Sequence, residues 1–282
     1  MLSAETISFQ KKISALGLQI PRAQVVLGSG FGNALEEAAN YPGWNLVGDI
    51  SFRDIGIVSS TAPDHAGKYR LFSRGNNSVI FQMGRLHGYE GNSPKAVTAP
   101  VMVPRLAGVE NFLLTNAAGG LMAEYRPGDV MIIRDHVNLT GQNPLSGENP
   151  KRADGQDIGP RFPDMSNAYD QAWRNRIREE LKGMRVHEGT YLGVAGPSFE
   201  TPAEVSLFSR WGMQAVGMST VWETIALCHS GARVAGLSLI SNAGAGMSDE
   251  KLDHFVILDT CRAAAAKIVR GLFSAMEKEL KL

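Results

Sequence analysis

Cysteine is almost missing from this chain: Cys228 and Cys261 lie far apart and outside any C-x-x-C pair. That excludes a disulfide framework and a cysteine-bound zinc, and makes a reducing cytoplasm the expected setting. Long apolar runs are missing too. None approaches the ~18 residues that span a bilayer. The opening "MLSAETISFQKKISALGLQI" also lacks the uninterrupted apolar core of a secretory signal, so neither membrane insertion nor secretion is expected. Nor is there an excess of either charge, because 28 Lys plus Arg stand against 28 Asp plus Glu. With no general positive field, nucleic acid and anionic membranes are not expected partners. Any anion has to be held by a local site.

What the chain does have is length and apolar content. Its 282 residues, 44% hydrophobic and 20% charged, can bury a substantial core. No internal repeat or Ser/Gly linker divides them, so residues 1–282 read as one domain. Strand-like runs ("AQVVLGSG", "NFLLTNAAGG", "DVMIIRDHVNL", "GTYLGVAG", "QAVGMS", "RVAGLSLISNAG") alternate with helix-like ones ("GNALEEAAN", residues 94–108, "NAYDQAWRNRIREELKG", "TPAEVSLFSRWG", "TVWETIALCHSG", "LDTCRAAAAKIVRGLFSAMEKEL"). One early hairpin, "KYRLFSRGNNSVIFQMGR", interrupts the alternation. The order predicts an α/β domain with a central mixed β-sheet flanked by helices. The Gly-, Pro- and Asn-rich "TGQNPLSGENPKRADGQDIGPRFPDMS" reads as a long surface loop.

Polar groups that could hold an anion gather at predicted strand ends. "VVLGSGFG" follows a strand with glycines, but Asn33 stands where a dinucleotide fingerprint needs its third glycine, and no P-loop occurs anywhere. What remains is a loop whose amides approach one anion, with Ser29 as a hydroxyl donor. "GRLHGYEG" places Arg85 and His87 at alternate positions, so both face one way, and Arg85 offers a planar fork for phosphate oxygens. "DHAG" adds His65, and "TNAAGG" adds Asn116 beside the small Ala117 and Ala118. Taken singly, each has a plain structural explanation. Together they suit inorganic phosphate or a phosphate ester at the ends of an open sheet.

The ordered series "GSGFG", "HAG", "GRLHGYEG", "TNAAGG", "RFPDMSNAYD", "GPSFET" and "VGMSTVWE" resembles the trimeric purine nucleoside phosphorylase family, from about Val25 to His254. The resemblance implies a fold of nucleoside phosphorylase type, a homotrimer, purine nucleosides and phosphate as substrates, and no metal or organic cofactor. It implies a phosphate site of Ser29, His65, Arg85, His87, the Ala117 amide and Ser219. Tyr89, Met218 and His254 match ribose positions, with Asn116, Phe199 and Val216 also on the nucleoside. Phe162 matches an aromatic that reaches the neighbouring subunit's sugar. Glu200 and Asn242 match the base site, and the catalytic set implied is Asn242, His87 and Glu200.

The chemistry of these types fits. Phosphate serves as both anion and nucleophile for an oxocarbenium-like centre. A glutamate accepts from purine N1–H and a 2-amino group, and an asparagine can donate to O6 while accepting from N7–H. Glu200 has a plainer alternative role as an acid at a helix N-terminus, and Asn242 as a turn former before Gly244. Two residues depart from the family pattern: Trp222 stands where proline is common, and Asp64 where glycine is usual. A dehydrogenase, a silent purine-binding protein, and phosphorylases for methylthioadenosine or xanthosine are the competing readings. The expected reaction is salvage phosphorolysis of 6-oxopurine nucleosides.

Overall fold

Continuous apolar runs too short for helices become strands buried on both faces. The structure, a computed structural model, describes residues 2–32, 34–38, 41–62, 65–247 and 254–282. The strands are β1 (Ala23–Leu27), β2 (Asn45–Ser51), β3 (Lys68–Arg74), β4 (Asn77–Met83), β5 (Asn111–Gly120), β6 (Val130–Asn138), β7 (Val186–Gly193), β8 (Ala215–Gly217) and β9 (Arg233–Ala243). Every residue of β1 is buried, as are eight consecutive residues of β9. The strands form a nine-stranded sheet in the order β2-β3-β4-β1-β5-β8-β7-β6-β9. β1 runs parallel to β4 and β5, and β5 parallel to β9, while β2–β3, β3–β4, β5–β8 and β6–β9 are antiparallel. This is the mixed sheet that the segment order predicts, with the β3–β4 hairpin in place.

The helices are α1 (Ser3–Ala15), α2 (Ala34–Ala38), α3 (Pro94–Ala107), α4 (Gln171–Glu180), α5 (Pro202–Arg210), α6 (Val221–His229) and α7 (His254–Leu280). One core packs buried residues of α1, α3 and α6 on one face of the sheet, and a second packs α4 and α7 on the other. α1 and β2 are not among the segments expected from sequence. β2 is a half-exposed edge whose pairing shifts between Leu46 and Gly48, so it carries neither an apolar run nor clean alternation. α1 buries only Thr6, Phe9 and Ile13, a stripe too narrow to announce itself. α7 also begins at His254, ahead of the run read as its start.

α3 is helical despite Pro100 and Pro104 inside it. Pro104 has no N–H, so the Pro100 carbonyl loses its partner within the helix. Two side chains from the sheet replace that partner: Tyr69 Oη donates to Pro100 O at 2.7 Å and Gln24 Nε2 at 3.1 Å. Ser93 caps the other end by accepting from the Ala96 amide, and Pro94 takes the first helical position, where a missing N–H costs nothing. Tyr69→Phe keeps the ring and removes one of the two donors. It should destabilise the fold by about 1 kcal/mol in urea denaturation, because Gln24 still satisfies the carbonyl.

Candidate active site

β5 is bonded along its whole length by β9 on one edge. On the other edge it pairs with β1 only through Asn111–Leu114 and with β8 only at Gly119 and Gly120. No described strand covers Thr115–Ala118 on that side. A cleft of about 510 Å³ opens there, at the carboxyl ends of β1, β4, β5 and β9, where ligands collect in open α/β sheets. It is lined by Ser29, Arg85, His87, Tyr89, Asn116, Ala117, Phe199, Glu200, Val216, Met218, Ser219 and Asn242 among others. Residues from seven separate stretches of sequence thus meet in one place.

One end is rich in donors. Gly28 is required there, since a Cβ would sit 2.5 Å from Arg85 Nη1 and 2.7 Å from the Thr115 carbonyl. Arg85 is 2% exposed. Its Nη1 donates to the Thr115 carbonyl, and its Nε and Nη2 donate to the two carboxylate oxygens of Glu223 at 3.3 and 3.0 Å. The guanidinium expected to face phosphate alone is therefore already held by a buried carboxylate. His65 does not line the cleft; it stands behind Ser29. Its Nδ1 accepts from the Arg85 amide at 3.4 Å, so its proton rides on Nε2, 3.4 Å from Ser29 Oγ. Ser29 is then able to turn its own O–H outward.

His87 is fixed by Glu90, which takes the His87 amide at 2.9 Å and its Nδ1 at 3.2 Å. The same carboxylate accepts from the Thr61 amide, the Thr61 hydroxyl and Ser60. Burial alone would raise the Glu90 carboxyl, but these hydrogen bonds outweigh it and hold the group down at about 2. Tyr89 stacks on the His87 ring at 4.6 Å. Burial first, and the Glu90 charge second, push its phenol up to about 12, so it stays a donor at neutral pH.

Between the ends, the chain reverses at Thr220. Its backbone lies at φ 72° and ψ −44°, and Val221 N donates to Ser219 O at 2.8 Å. This is a γ-turn with positive φ, a strained conformation for a β-branched residue. Asn116 Nδ2 donates to the Thr220 hydroxyl at 2.8 Å, and Ser219 Oγ lies 3.2 Å from the same hydroxyl.

At the far end are Phe199, Glu200, Val216 and Asn242. Burial pushes the Glu200 carboxyl above its ordinary range, with the Glu204 charge adding to it. Glu200 directly precedes the N-cap of α5, and the capping bonds themselves are made by its neighbours: Thr201 Oγ1 accepts from the Glu204 amide, and the Glu204 carboxylate takes the Thr201 amide. Asn242 accepts from Ser241 Oγ at 2.7 Å and donates to the Ala243 carbonyl at 2.8 Å. Each half of its carboxamide retains further capacity, with one N–H and one lone pair.

The family model described as the phosphorylase superfamily matches residues 25–274. The chain belongs to that superfamily. Purine nucleoside phosphorylase 1 of Bacillus subtilis is 41% identical over 91% of this chain and 93% of its own length. The purine nucleoside phosphorylase of Mus musculus is 41% identical over 91% of this chain and 89% of its own. A crystal structure of Schistosoma mansoni purine nucleoside phosphorylase in complex with adenosine superposes with a TM-score of 0.82 at 29% identity, covering 99% of this chain and 98% of that one. Within the superfamily the chain is a purine nucleoside phosphorylase by this kinship.

Two residues singled out in the sequence, His65 and Phe162, are not among the described residues that line the cleft. His65 stands behind it, as described. Phe162 lies on the long loop, 86% exposed, with the Arg161 guanidinium 5.5 Å from its ring centroid. His254 is the first residue of α7, and its side chain lies outside the described residues, as does Asp64. Trp222 donates to Thr140 Oγ1 at 2.9 Å and packs with Leu86 and Val97 beside the cleft. Sequence reasoning missed Glu90, Thr220 and Glu223, although each lies inside a motif already quoted. Among the described residues, no helix is long and apolar enough to cross a membrane.

The Glu90 clamp has a definite pH signature in this phosphorylase. Its folded-state value lies below the unfolded one, so its contribution is complete above the unfolded carboxyl value and is lost as pH falls toward about 2. Glu90→Gln should therefore be less stable than the parent at pH 7, with the gap closing between about pH 4.5 and 2. Parallel denaturant titrations of both proteins across that range provide the check.

Proposed function

We propose that this chain catalyses reversible phosphorolysis of 6-oxopurine ribo- and deoxyribonucleosides, inosine and guanosine above all, giving free base and sugar 1-phosphate in purine salvage. The observation that carries the reading is one cleft with Ser29, Arg85 and His87 at one end and Glu200 and Asn242 at the other. Phosphate lies at the donor-rich end with the anomeric carbon above it. Its oxygen forms the new bond to C1′ as the bond to N9 breaks, and the electron pair leaves on the purine, whose N7 takes up a proton from solvent. Asn242 donates to O6 and accepts from N7–H, which stabilises the departing base. Glu200 accepts from N1–H and so acts in its ionised form. Its raised value places the acid limb for these substrates above the ordinary glutamate range. Phosphate is a co-substrate, and the reaction calls on no metal or organic cofactor. The setting is cytoplasmic.

The test is to incubate the protein with inosine, guanosine, adenosine and xanthosine, with and without phosphate, and to identify the products. Inosine and guanosine should be cleaved far better than adenosine, and only with phosphate. An unmatched buried polar group can discriminate by ~10⁴ in favourable cases. In Asn242→Asp the acceptor-only side chain suits a 6-amino group, so the inosine-to-adenosine ratio of kcat/KM should fall. Activity on adenosine stays low because Glu200 finds no N1–H there. An unchanged ratio removes Asn242 from this role.

The assembly is read as a homotrimer in which Phe162 caps a neighbour's sugar site. A phenyl ring left 86% exposed on its own chain supports that reading. Phe162→Ala should raise the nucleoside KM about tenfold with little change in phosphate KM, and dilution to monomers should abolish activity. Sedimentation alongside activity assays checks both, and a fully active monomer contradicts the assembly.

A further inference from the structure

We propose that Glu223 is a positioning residue for phosphate. It sets the Arg85 guanidinium in the orientation that catalysis requires and cancels its charge, so that phosphate is held by geometry rather than by net attraction. The inference rests on the reading of the donor-rich end of the cleft as the phosphate site.

The two side chains come from positions 138 residues apart, and each is 1% exposed. Both carboxylate oxygens face guanidinium nitrogens, and the Thr115 carbonyl holds Nη1. Three of the five N–H donors of an arginine are thereby occupied, which leaves two, one on each Nη. A fork held at three points cannot swing, and the remaining two donors have a fixed direction. Arg85 lines the cleft itself.

A buried ion pair can be purely architectural, and apolar side chains often replace one at no loss of stability. The sequence contains its own control against that reading. "TPAE" (Thr201–Glu204) and "TVWE" (Thr220–Glu223) carry the same capping-box signature, T-x-x-E, at the start of α5 and of α6. At α5 it closes in both directions. At α6 Thr220 makes no capping bond; its hydroxyl takes Asn116 instead, and Glu223 turns to Arg85. The helix forgoes a stabilising side-chain cap, and its first turn is entered through a strained γ-turn. Both diverted side chains end on residues that line the cleft, Asn116 and Arg85. Elsewhere the first two turns of α6 bury Val221, Trp222 and Ile225, so an apolar side chain at this position would have suited packing alone.

The test compares Glu223→Gln and Glu223→Asp with the parent. It measures kcat and phosphate KM at saturating inosine, phosphate Kd by titration calorimetry, and melting temperature. In Glu223→Gln the amide presents a donor to a donor, which releases the fork while removing a negative charge. Its kcat should fall by about tenfold or more, while phosphate Kd should be no more than about twofold weaker. Glu223→Asp keeps the charge one methylene short and should recover part of the lost kcat, to about threefold below the parent.

A purely structural role would lower the melting temperature without this split. Glu223→Gln with parental kcat, or with phosphate Kd weakened more than about twofold, overturns the proposal. So does an Asp variant no better than Gln. If Glu223→Gln does not fold, Glu223→Asp decides alone. A kcat lowered by about threefold with unchanged Kd supports the proposal, and parental kcat overturns it. Phosphate binding is measured without turnover. A parent protein that binds phosphate but cleaves no nucleoside would therefore refute the proposed reaction, while the Kd comparison still judges Glu223.

Discussion

The molecule turns on one constraint: a ten-residue strand, β5, has more edge than its neighbours on one side can cover. β1 leaves it at Leu114 and β8 joins it at Gly119. Backbone groups in a sheet interior demand partners, and the stretch between those limits finds side chains: Arg85 Nη1 donates to the Thr115 carbonyl and Ser241 Oγ to the Ala118 carbonyl. Thr115 ties the loop after β1 through the Gly28 amide and ties Arg85 through its own carbonyl. Asn116 reaches the turn before α6, and Ala117 and Ala118 keep the floor low. Extending both flanking strands by two residues each would close the gap and scatter the residues that converge on it.

A chain with no net charge must concentrate charge locally to hold an anion. It does so with groups that are individually balanced. Arg85 faces Glu223, and His87 faces Glu90, which also gathers Ser60 and Thr61. Burying an arginine without a partner would cost far more than one bound anion returns. Pairing Arg85 with a carboxylate and anchoring the His87 ring on another leaves a site that is polar and pre-oriented. On the proposed reading, such a site selects phosphate by the direction of its donors.

Much of this was legible in the sequence, and the limits are physical. β1, β5 and β9 announce themselves because strands buried on both faces need uninterrupted apolar runs, and the clusters at their ends stand out as the polar residues that follow. β2 stayed hidden because an edge strand is under no such demand. Its Asp49 instead serves Lys68 and Arg70 on the neighbouring strand. The cleft residues were found by type and motif, but their pairings were not. Nothing local to Arg85 or Glu223 marks them as partners, since the contact exists only once α6 is packed against the sheet. Glu200 shows the reverse case. That its side chain lines the cleft while Glu204 makes the capping bonds is visible only once α5 is placed against the sheet.

The γ-turn at Thr220 bears on how this enzyme could be improved. A β-branched residue at φ 72° is a place where the backbone is under tension in the native state. Glycine there would relieve that tension but would leave the buried Asn116 Nδ2 without its acceptor. The gain would be taken from the hydroxyl on which Asn116 and Ser219 converge. Backbone relief and the hydrogen bonds that hold this wall of the cleft are thus set against each other at one residue.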